Sequence, residues 1–171
     1  MDAITLLKDD HKTVEKLFKR FEKLGPDGDE VQKRSLVDDM IHELSVHAHI
    51  EEQIFYPAVR ESVPDEEDTV LEGLEEHHIV KWTLSELDGM SPSEERFDAK
   101  VTVLIESVRH HVEEEEGEMF PGVRKALGRK KLQDLGEKLQ AAKASAPTKP
   151  RPEAPDTPQG KATRGRKPAA G

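Results

Sequence analysis

Hydrophobic side chains recur along the chain at the three- and four-residue spacing of amphipathic helices, and turn signals divide the pattern into segments. The pattern predicts four long helices and a short fifth one: residues 4–24, 30–62, 66–87, a helix that starts from a Ser93 N-cap, and 130–144. Pro57 and Pro121 fall near the ends of the second and fourth helices. Each is expected to kink its helix or break the last turn.

Long helices joined by short connections pack as antiparallel neighbours, so the expected fold class is all-α, an up-down-up-down four-helix bundle. We assign the bundle to residues 1–127 and the short C-terminal helix to residues 128–144. Residues 145–171 are rich in Pro, Ala, Lys and Arg and contain no Leu, Ile, Val or aromatic residue. This last segment is therefore expected to be a disordered basic tail.

An internal repeat relates the two halves of the predicted bundle. An offset of 64 residues pairs His47 with His111, Glu51 with Glu115, Glu52 with Glu116, and Pro57 with Pro121. An offset of 66 residues pairs Asp10-His11 with Glu76-His77. Each half therefore supplies one lone histidine and one His-x-x-x-Glu-Glu pattern, as expected for a bundle with pseudo-two-fold symmetry.

Helical phase, at roughly 100° per residue, separates the polar residues that face the core from those that face solvent. The inward set is His11, His47, Glu51, His77, His111 and Glu115. The outward set is His42, His49, His78, His110, Glu113 and Glu114. The candidate site is the inward set, although His11 lies toward the edge of its apolar arc.

Four histidines and two carboxylates in the core of a small bundle indicate a metal site. Carboxylates are rarely buried unpaired, because an uncompensated buried charge strongly destabilises a fold. The chain contains no cysteine, so the ligands are nitrogen and oxygen, which favours iron, zinc or manganese. A fully hydrogen-bonded network of His and Glu without a metal remains an alternative at this point.

The order His, His-x-x-x-Glu, His, His-x-x-x-Glu, together with EEQIFYPAVR and EEEGEMFPGVR, resembles the hemerythrin-like family of HHE cation-binding domains. The resemblance covers about residues 1–127 and agrees in spacing, order and both aromatic-Pro ends. It implies two non-haem iron ions joined by an oxo or hydroxo bridge. It also implies terminal histidines, bridging Glu51 and Glu115, and an open position for dioxygen, peroxide or nitric oxide; the four terminal ligands are His11, His47, His77 and His111.

Two positions depart from the oxygen-carrying hemerythrins. Those proteins have a second histidine one turn after the third-helix histidine, where this chain has Lys81. Their last carboxylate is an Asp five residues after its histidine, whereas this chain has Glu115 four residues after His111. Lys81 is close to the site in helical phase and is expected to extend to solvent or to pair with a carboxylate. These differences favour sensing, peroxide decomposition or iron handling over reversible oxygen carriage, and leave enzymatic activity open.

Charge and the remaining motifs limit the other functions. Residues 1–142 carry 34 acidic and 19 basic side chains, so nucleic acid is not expected as the main partner, although residues 143–171 carry 7 basic and 2 acidic ones. No apolar run approaches the ~20 residues of a membrane span, and the start lacks a signal-peptide pattern, so a cytoplasmic location is expected. The histidines of HELSVH are five residues apart, unlike those of zincins. The alternative function is a structural zinc or manganese module that acts through protein interaction.

Overall fold

The computed structural model describes residues 1–153, whose regular secondary structure is all helical and is arranged in four long rods. Its six α-helices are α1 (Ala3–Leu24), α2 (Glu30–Ile50), α3 (Tyr56–Ser62), α4 (Glu67–Asp88), α5 (Phe97–Glu114) and α6 (Phe120–Lys143). Two π-helical segments, Glu51–Phe55 and Glu115–Met119, join α2 to α3 and α5 to α6. The prediction of an all-α four-helix bundle is confirmed.

Local sequence sets most helix ends. The Asp2 carboxylate accepts from the Thr5 backbone N–H at 2.9 Å and caps α1, which ends at Gly25 in a left-handed conformation with φ 67°. The predicted cap at Ser93 is wrong. Helix α5 begins at Phe97, because the preceding residues form turns in which the Phe97 N–H donates to the Glu94 carbonyl.

The two prolines widen their helices instead of breaking them. The Tyr56 N–H donates to the carbonyl of Glu51, five residues back, and the Phe120 N–H donates to Glu115 in the same way. A proline inside an α-helix lacks one N–H and collides with the carbonyl four residues earlier, and a wider turn accommodates both defects. Each π segment therefore begins at a glutamate of the candidate site.

The hydrophobic core is divided into two clusters along the bundle axis. One cluster gathers residues near the start of α1 and the two π segments, including Leu7, Ile50 and Val123. The other fills the opposite end, including Phe18 and Leu104. On each long helix the candidate polar residues lie between the two clusters, so the site is a polar layer closed above and below by apolar side chains.

The C-terminal part of α6 folds back onto the start of α1. Gly128 has φ 72° and ψ 171°, which are not helical, so α6 changes direction there as the predicted separate C-terminal helix requires. Beyond it, Leu132 and Leu139 join the same core cluster as Leu7. Gly136 lies so close to the first residues of the chain that a Cβ would collide with their backbone.

The start of the predicted basic tail also lies against the bundle. Ala146 is buried in the first core cluster, and Lys149 Nζ lies 3.0 Å from an Asp88 carboxylate oxygen. These contacts hold Ala146 and Lys149 against the bundle, whereas the other residues of 145–153 are exposed or half-buried. The rest of the predicted tail, residues 154–171, lies outside the described residues.

Candidate metal centre

The six inward-facing residues lie together in the polar layer between the two core clusters. All are buried, with 0 to 6% of each residue exposed; they are His11, His47, Glu51, His77, His111 and Glu115. The outward histidines are at the surface or half-buried; they are His42, His49, His78 and His110. The structure thus separates the two sets as helical phase predicts.

One group within this layer contains His11, His47, Glu51 and Glu115. Their ligand-capable atoms all lie within 4.8 Å of one another. His11 Nε2 is 3.2 Å from Glu115 Oε2, and His47 Nε2 is 3.2 Å from Glu51 Oε2. Ligand atoms about 2.1 Å from one ion and at right angles to each other are about 3 Å apart, so these spacings fit a metal position.

A second group contains Glu51, His77 and His111, again with ligand atoms within 4.8 Å of one another. His77 Nε2 lies 3.2 Å from the same Glu51 oxygen and 3.1 Å from His111 Nε2. Glu115 also reaches this side, because its Oε1 is 3.6 Å from His111 Nε2. Both glutamates therefore lie between the two groups, as bridging ligands of two ions would.

Unsatisfied polar atoms converge on the centre. Six buried side-chain polar atoms in residues 1–153 make no hydrogen bond of normal geometry, and four of them belong to this layer: His11 Nε2, His47 Nε2, Glu51 Oε1 and Glu115 Oε2. Buried polar atoms are normally paired, since leaving one unpaired costs about 1–3 kcal/mol. All four are nitrogen or oxygen atoms that can coordinate a metal cation, and one cation could contact them together. The residues therefore fit the metal site that the sequence indicates.

Each site histidine uses its second ring nitrogen to contact a carboxylate. The Nδ1–oxygen distances are 2.9 Å for His11–Glu116, 3.4 Å for His47–Asp10, 3.1 Å for His77–Glu52 and 2.5 Å for His111–Glu76. A carboxylate at Nδ1 fixes the ring orientation, aims Nε2 at the centre and makes that nitrogen a stronger ligand. Metal-binding histidines in proteins characteristically have such partners.

Helical phase assigns no role to these four carboxylates, although they occupy equivalent positions of the repeat. Asp10 and Glu76 precede the lone histidines, and Glu52 and Glu116 follow the bridging glutamates. In each half one carboxylate contacts the histidine of the neighbouring helix in that half, and the other contacts the lone histidine of the opposite half. The repeat could have indicated their role, because acidic residues that recur beside the candidate ligands in both halves are expected to make the same kind of contact.

Lysines neutralise three of the four carboxylates. Lys81 Nζ is 2.9 Å from Glu52, Lys8 Nζ is 3.3 Å from Glu116, and Lys143 pairs with Asp10. Lys81 is itself buried, with 7% exposed. Of its two expected placements, the structure shows pairing with a carboxylate: Lys81 contacts Glu52, which in turn contacts His77.

Tyr56 also lies at the centre, which the sequence pattern did not indicate. The Tyr56 hydroxyl donates to Glu115 Oε1 at 2.8 Å and lies 3.4 Å from Nε2 of both His77 and His111. Burial and the charge of Glu115 raise the pKa of this phenol well above its ordinary value, so the hydroxyl keeps its proton. The repeat places Phe120 at the matching position, where it stacks on His11 at 5.8 Å between ring centroids.

Electrostatics at the centre hold protons where a metal would bind. Burial lowers the pKa of His47, but the charge of Glu51 and the contact with Asp10 outweigh it and raise that pKa to about 10. Burial likewise opposes protonation of His77, yet contacts with Glu51 and Glu52 raise its pKa to about 9. The carboxylates therefore attract positive charge strongly enough to overcome burial, as a cation site must.

A buried layer of paired His-x-x-x-Glu motifs inside a four-helix bundle defines a cation-binding helical protein. The family model of the hemerythrin HHE cation binding domain matches residues 2–123, and the chain belongs to that family. It is 26% identical over 150 residues to an uncharacterized hemerythrin-like protein of Schizosaccharomyces pombe, covering 83% of this chain and 74% of that protein.

Two further proteins are similar to this chain. A protein of Nostoc sp. described as a DNA nickase is 29% identical over 144 residues, which cover 84% of this chain but only 40% of the Nostoc protein. The crystal structure of a hemerythrin HHE cation binding domain-containing protein from Mycobacterium kansasii superposes with a TM-score of 0.71 at 25% identity, covering 85% of this chain and 86% of that one. Among residues 1–153, no helix is long and apolar enough to cross a membrane.

Proposed function

We propose that this chain holds two non-haem iron ions and uses them to bind or transform dioxygen, peroxide or nitric oxide. Four buried ligand atoms without a hydrogen bond converge in the first group, which shares Glu51 with the second group, and this observation carries the proposal. The proposed ligands are the inward set: His11, His47, Glu51, His77, His111 and Glu115. The proposed metal-binding unit is residues 1–127, followed by the C-terminal helix at residues 128–144.

The side chains divide the work of such a centre. The four histidines would each supply Nε2, while Glu51 and Glu115 would each extend between the two metal positions. When bound, the iron ions would supply exchangeable positions for a small ligand and one-electron chemistry. The apolar clusters on both sides keep bulk water away from the layer. Tyr56 holds a proton 2.8 Å from a Glu115 oxygen, on one side of the centre only.

Chemical turnover is favoured over reversible oxygen carriage. Lys81 stands where oxygen carriers have a further histidine, and its ammonium group is committed to Glu52. One metal position therefore has one fewer imidazole ligand, which leaves it more open to exchange. We propose sensing, peroxide decomposition, nitric oxide removal or iron handling as the roles that match this ligand set.

Metal analysis combined with a visible absorption spectrum tests this function. Purified protein should contain about two iron ions per chain and show charge-transfer bands in the near ultraviolet and visible. His47→Ala and Glu115→Ala should abolish stable loading, whereas the matched outward variants His49→Ala and His110→Ala should retain it. Recovery of zinc without such bands would instead support the structural zinc or manganese module.

DNA nicking is a second candidate function. The similarity to the Nostoc protein described as a DNA nickase covers 84% of this chain, which is long enough to include the five candidate ligands from His47 to Glu115. Residues 143–171, with 7 basic and 2 acidic side chains, would favour contact with phosphates. Iron-loaded protein should then convert supercoiled plasmid to the open-circular form, and His47→Ala should not. Equal nicking by both proteins would assign the activity to a contaminant or to free iron.

A further inference from the structure

The metal layer is buried, so a small ligand needs a path between the helices to reach it. Helix α1 packs along α2 and α6, and α4 packs along α5 and α2, whereas α1 and α5 approach each other less closely. At this seam lies a groove of about 380 Å³. Its apolar lining residues are Val14, Phe18, Val108 and Val112, and His11 and Glu116 of the candidate site also line it. The remaining lining residues are charged: Lys12, Glu15, Lys16, Lys19 and Arg109.

The pseudo-symmetric seam, between α2 and α4, is closed by a side chain. The 66-residue offset that pairs His11 with His77 also pairs Glu15 with Lys81. Lys81 is buried in its seam and binds Glu52. Glu15 turns outward instead and accepts from Arg109 at 2.9 Å across the α1–α5 groove. The residue at this position of the repeat is therefore buried between the helices in one seam, as Lys81, and lies near the surface in the other, as Glu15.

The groove suits a small uncharged ligand. Its deep wall is made of valine and phenylalanine side chains, which offer no partner to an ion. Most of the charged groups around it are already paired: Arg109 binds Glu15 and Glu22, Lys8 binds Glu116, and Lys12 binds Asp9. A diatomic gas loses little solvation in such a channel, whereas an anion would lose much more.

We propose that the α1–α5 groove is the access route to the metal position held by His11 and His47, and that Val108 and Val112 control passage through it. The inference rests on the proposed reaction with a small ligand. It makes access one-sided: ligands arrive beside His11, on the side opposite Tyr56.

Xenon binding tests the groove without any metal. Xenon occupies apolar cavities, so methyl resonances of Val14, Val108 and Val112 in the metal-free full chain should shift under xenon pressure. The methyl groups of Val103, which is 55% exposed on the same helix α5, should not shift. Shifts confined to other residues would overturn the groove as a binding space, whatever metal the protein holds.

Alkylation tests the route in the iron-loaded protein. Because the chain has no cysteine, Val112→Cys provides one thiol that a maleimide can enlarge, with Val103→Cys as the matched control. Alkylation at 112 should slow nitric oxide binding to the reduced protein by at least about tenfold, measured by stopped flow, with the iron content unchanged. Alkylation at 103 should leave the rate unchanged.

Val112→Ala tests the same route without alkylation, in case the alkylated protein releases iron. Removing wall atoms should speed nitric oxide binding, and an unchanged rate in Val112→Ala would overturn the access route. Failure of the proposed function looks different: the protein would then lack iron and its bands, while the xenon shifts would still report on the groove.

Discussion

The two halves of the bundle supply the same ligands but surround them differently. Each half contributes a lone histidine, a His-x-x-x-Glu pair, a π segment at the glutamate and two carboxylates on ring nitrogens. At the position after each π segment, however, one half has Tyr56 and the other has Phe120. The candidate ligand set therefore follows the repeat, whereas residues that break the repeat give the two groups of candidate ligands different surroundings.

The departures from symmetry all distinguish the His77 side of the centre from the His11 side. On the His77 side, the Tyr56 hydroxyl contacts the ligands and Lys81 closes the seam. On the His11 side, a phenyl ring lies against the histidine and the groove between α1 and α5 opens to the surface. One side thus offers a proton and a closed wall, while the other offers an apolar approach. Two ions in such a centre would have different tasks.

The largest expected effect comes from removing what the halves share. Glu51 and Glu115 each reach both groups, so Glu51→Ala and Glu115→Ala should each reduce bound iron to less than about a tenth of the wild-type value. Glu113→Ala, an exposed acid on the same helix as His111, is the control and should load fully. If one of the two site variants retains a full complement of iron, the halves are not equivalent as ligand donors.

The fold and the inward position of the six residues could be predicted from the sequence, because both depend on helical periodicity. The repeat doubles that signal, because His47 and His111 occupy the same phase of their two helices. Periodicity could not reveal the π segments, which arise from a local conflict between proline and the helix ladder. Nor could it assign Tyr56 or the carboxylates on the histidines, because those contacts join different helices at distances that only the packed bundle defines.

A smaller effect is expected from the carboxylates behind the histidines. Glu52→Gln should weaken metal binding about 10- to 100-fold, since it replaces the charged acceptor at His77 Nδ1 with a neutral amide and leaves Lys81 without its charged partner. Glu116→Gln should weaken binding less, because the Glu116 side chain is 33% exposed and water can replace it. Competition with a chelator of known affinity measures both. A greater loss of affinity in Glu116→Gln would show that burial of the carboxylate does not determine how much it contributes to metal binding.

Protons held by both halves should be released when metal binds. The raised pKa values of His47, about 10, and His77, about 9, keep both rings protonated at neutral pH in the metal-free protein. A metal needs the neutral imidazole, so loading at neutral pH should release protons, and the release should decline as pH rises through 9 to 10. Calorimetry in two buffers with different ionisation enthalpies measures this number. A heat that is independent of the buffer would contradict the pKa directions.

The smallest effect on loading, and the most direct test of asymmetry, is expected from Tyr56→Phe. Phenylalanine keeps the ring that stacks on His77 at 5.4 Å and removes only the hydroxyl that donates to Glu115, so the cost in stability should be about 1 kcal/mol and both iron ions should remain. The two iron environments should become more alike, because each half then has a phenyl ring at this position.

Mössbauer spectra of iron-57-loaded protein measure that change. The wild-type protein should give two distinguishable quadrupole doublets, and Tyr56→Phe should bring them closer together. Phe120→Tyr is the reciprocal variant, since it adds a hydroxyl near His11 and should shift the doublet of the other ion. If Tyr56→Phe leaves both doublets unchanged, the hydroxyl does not influence either metal position. The difference between the halves would then arise from the seams alone, with Lys81 closing one and Glu15 leaving the other open.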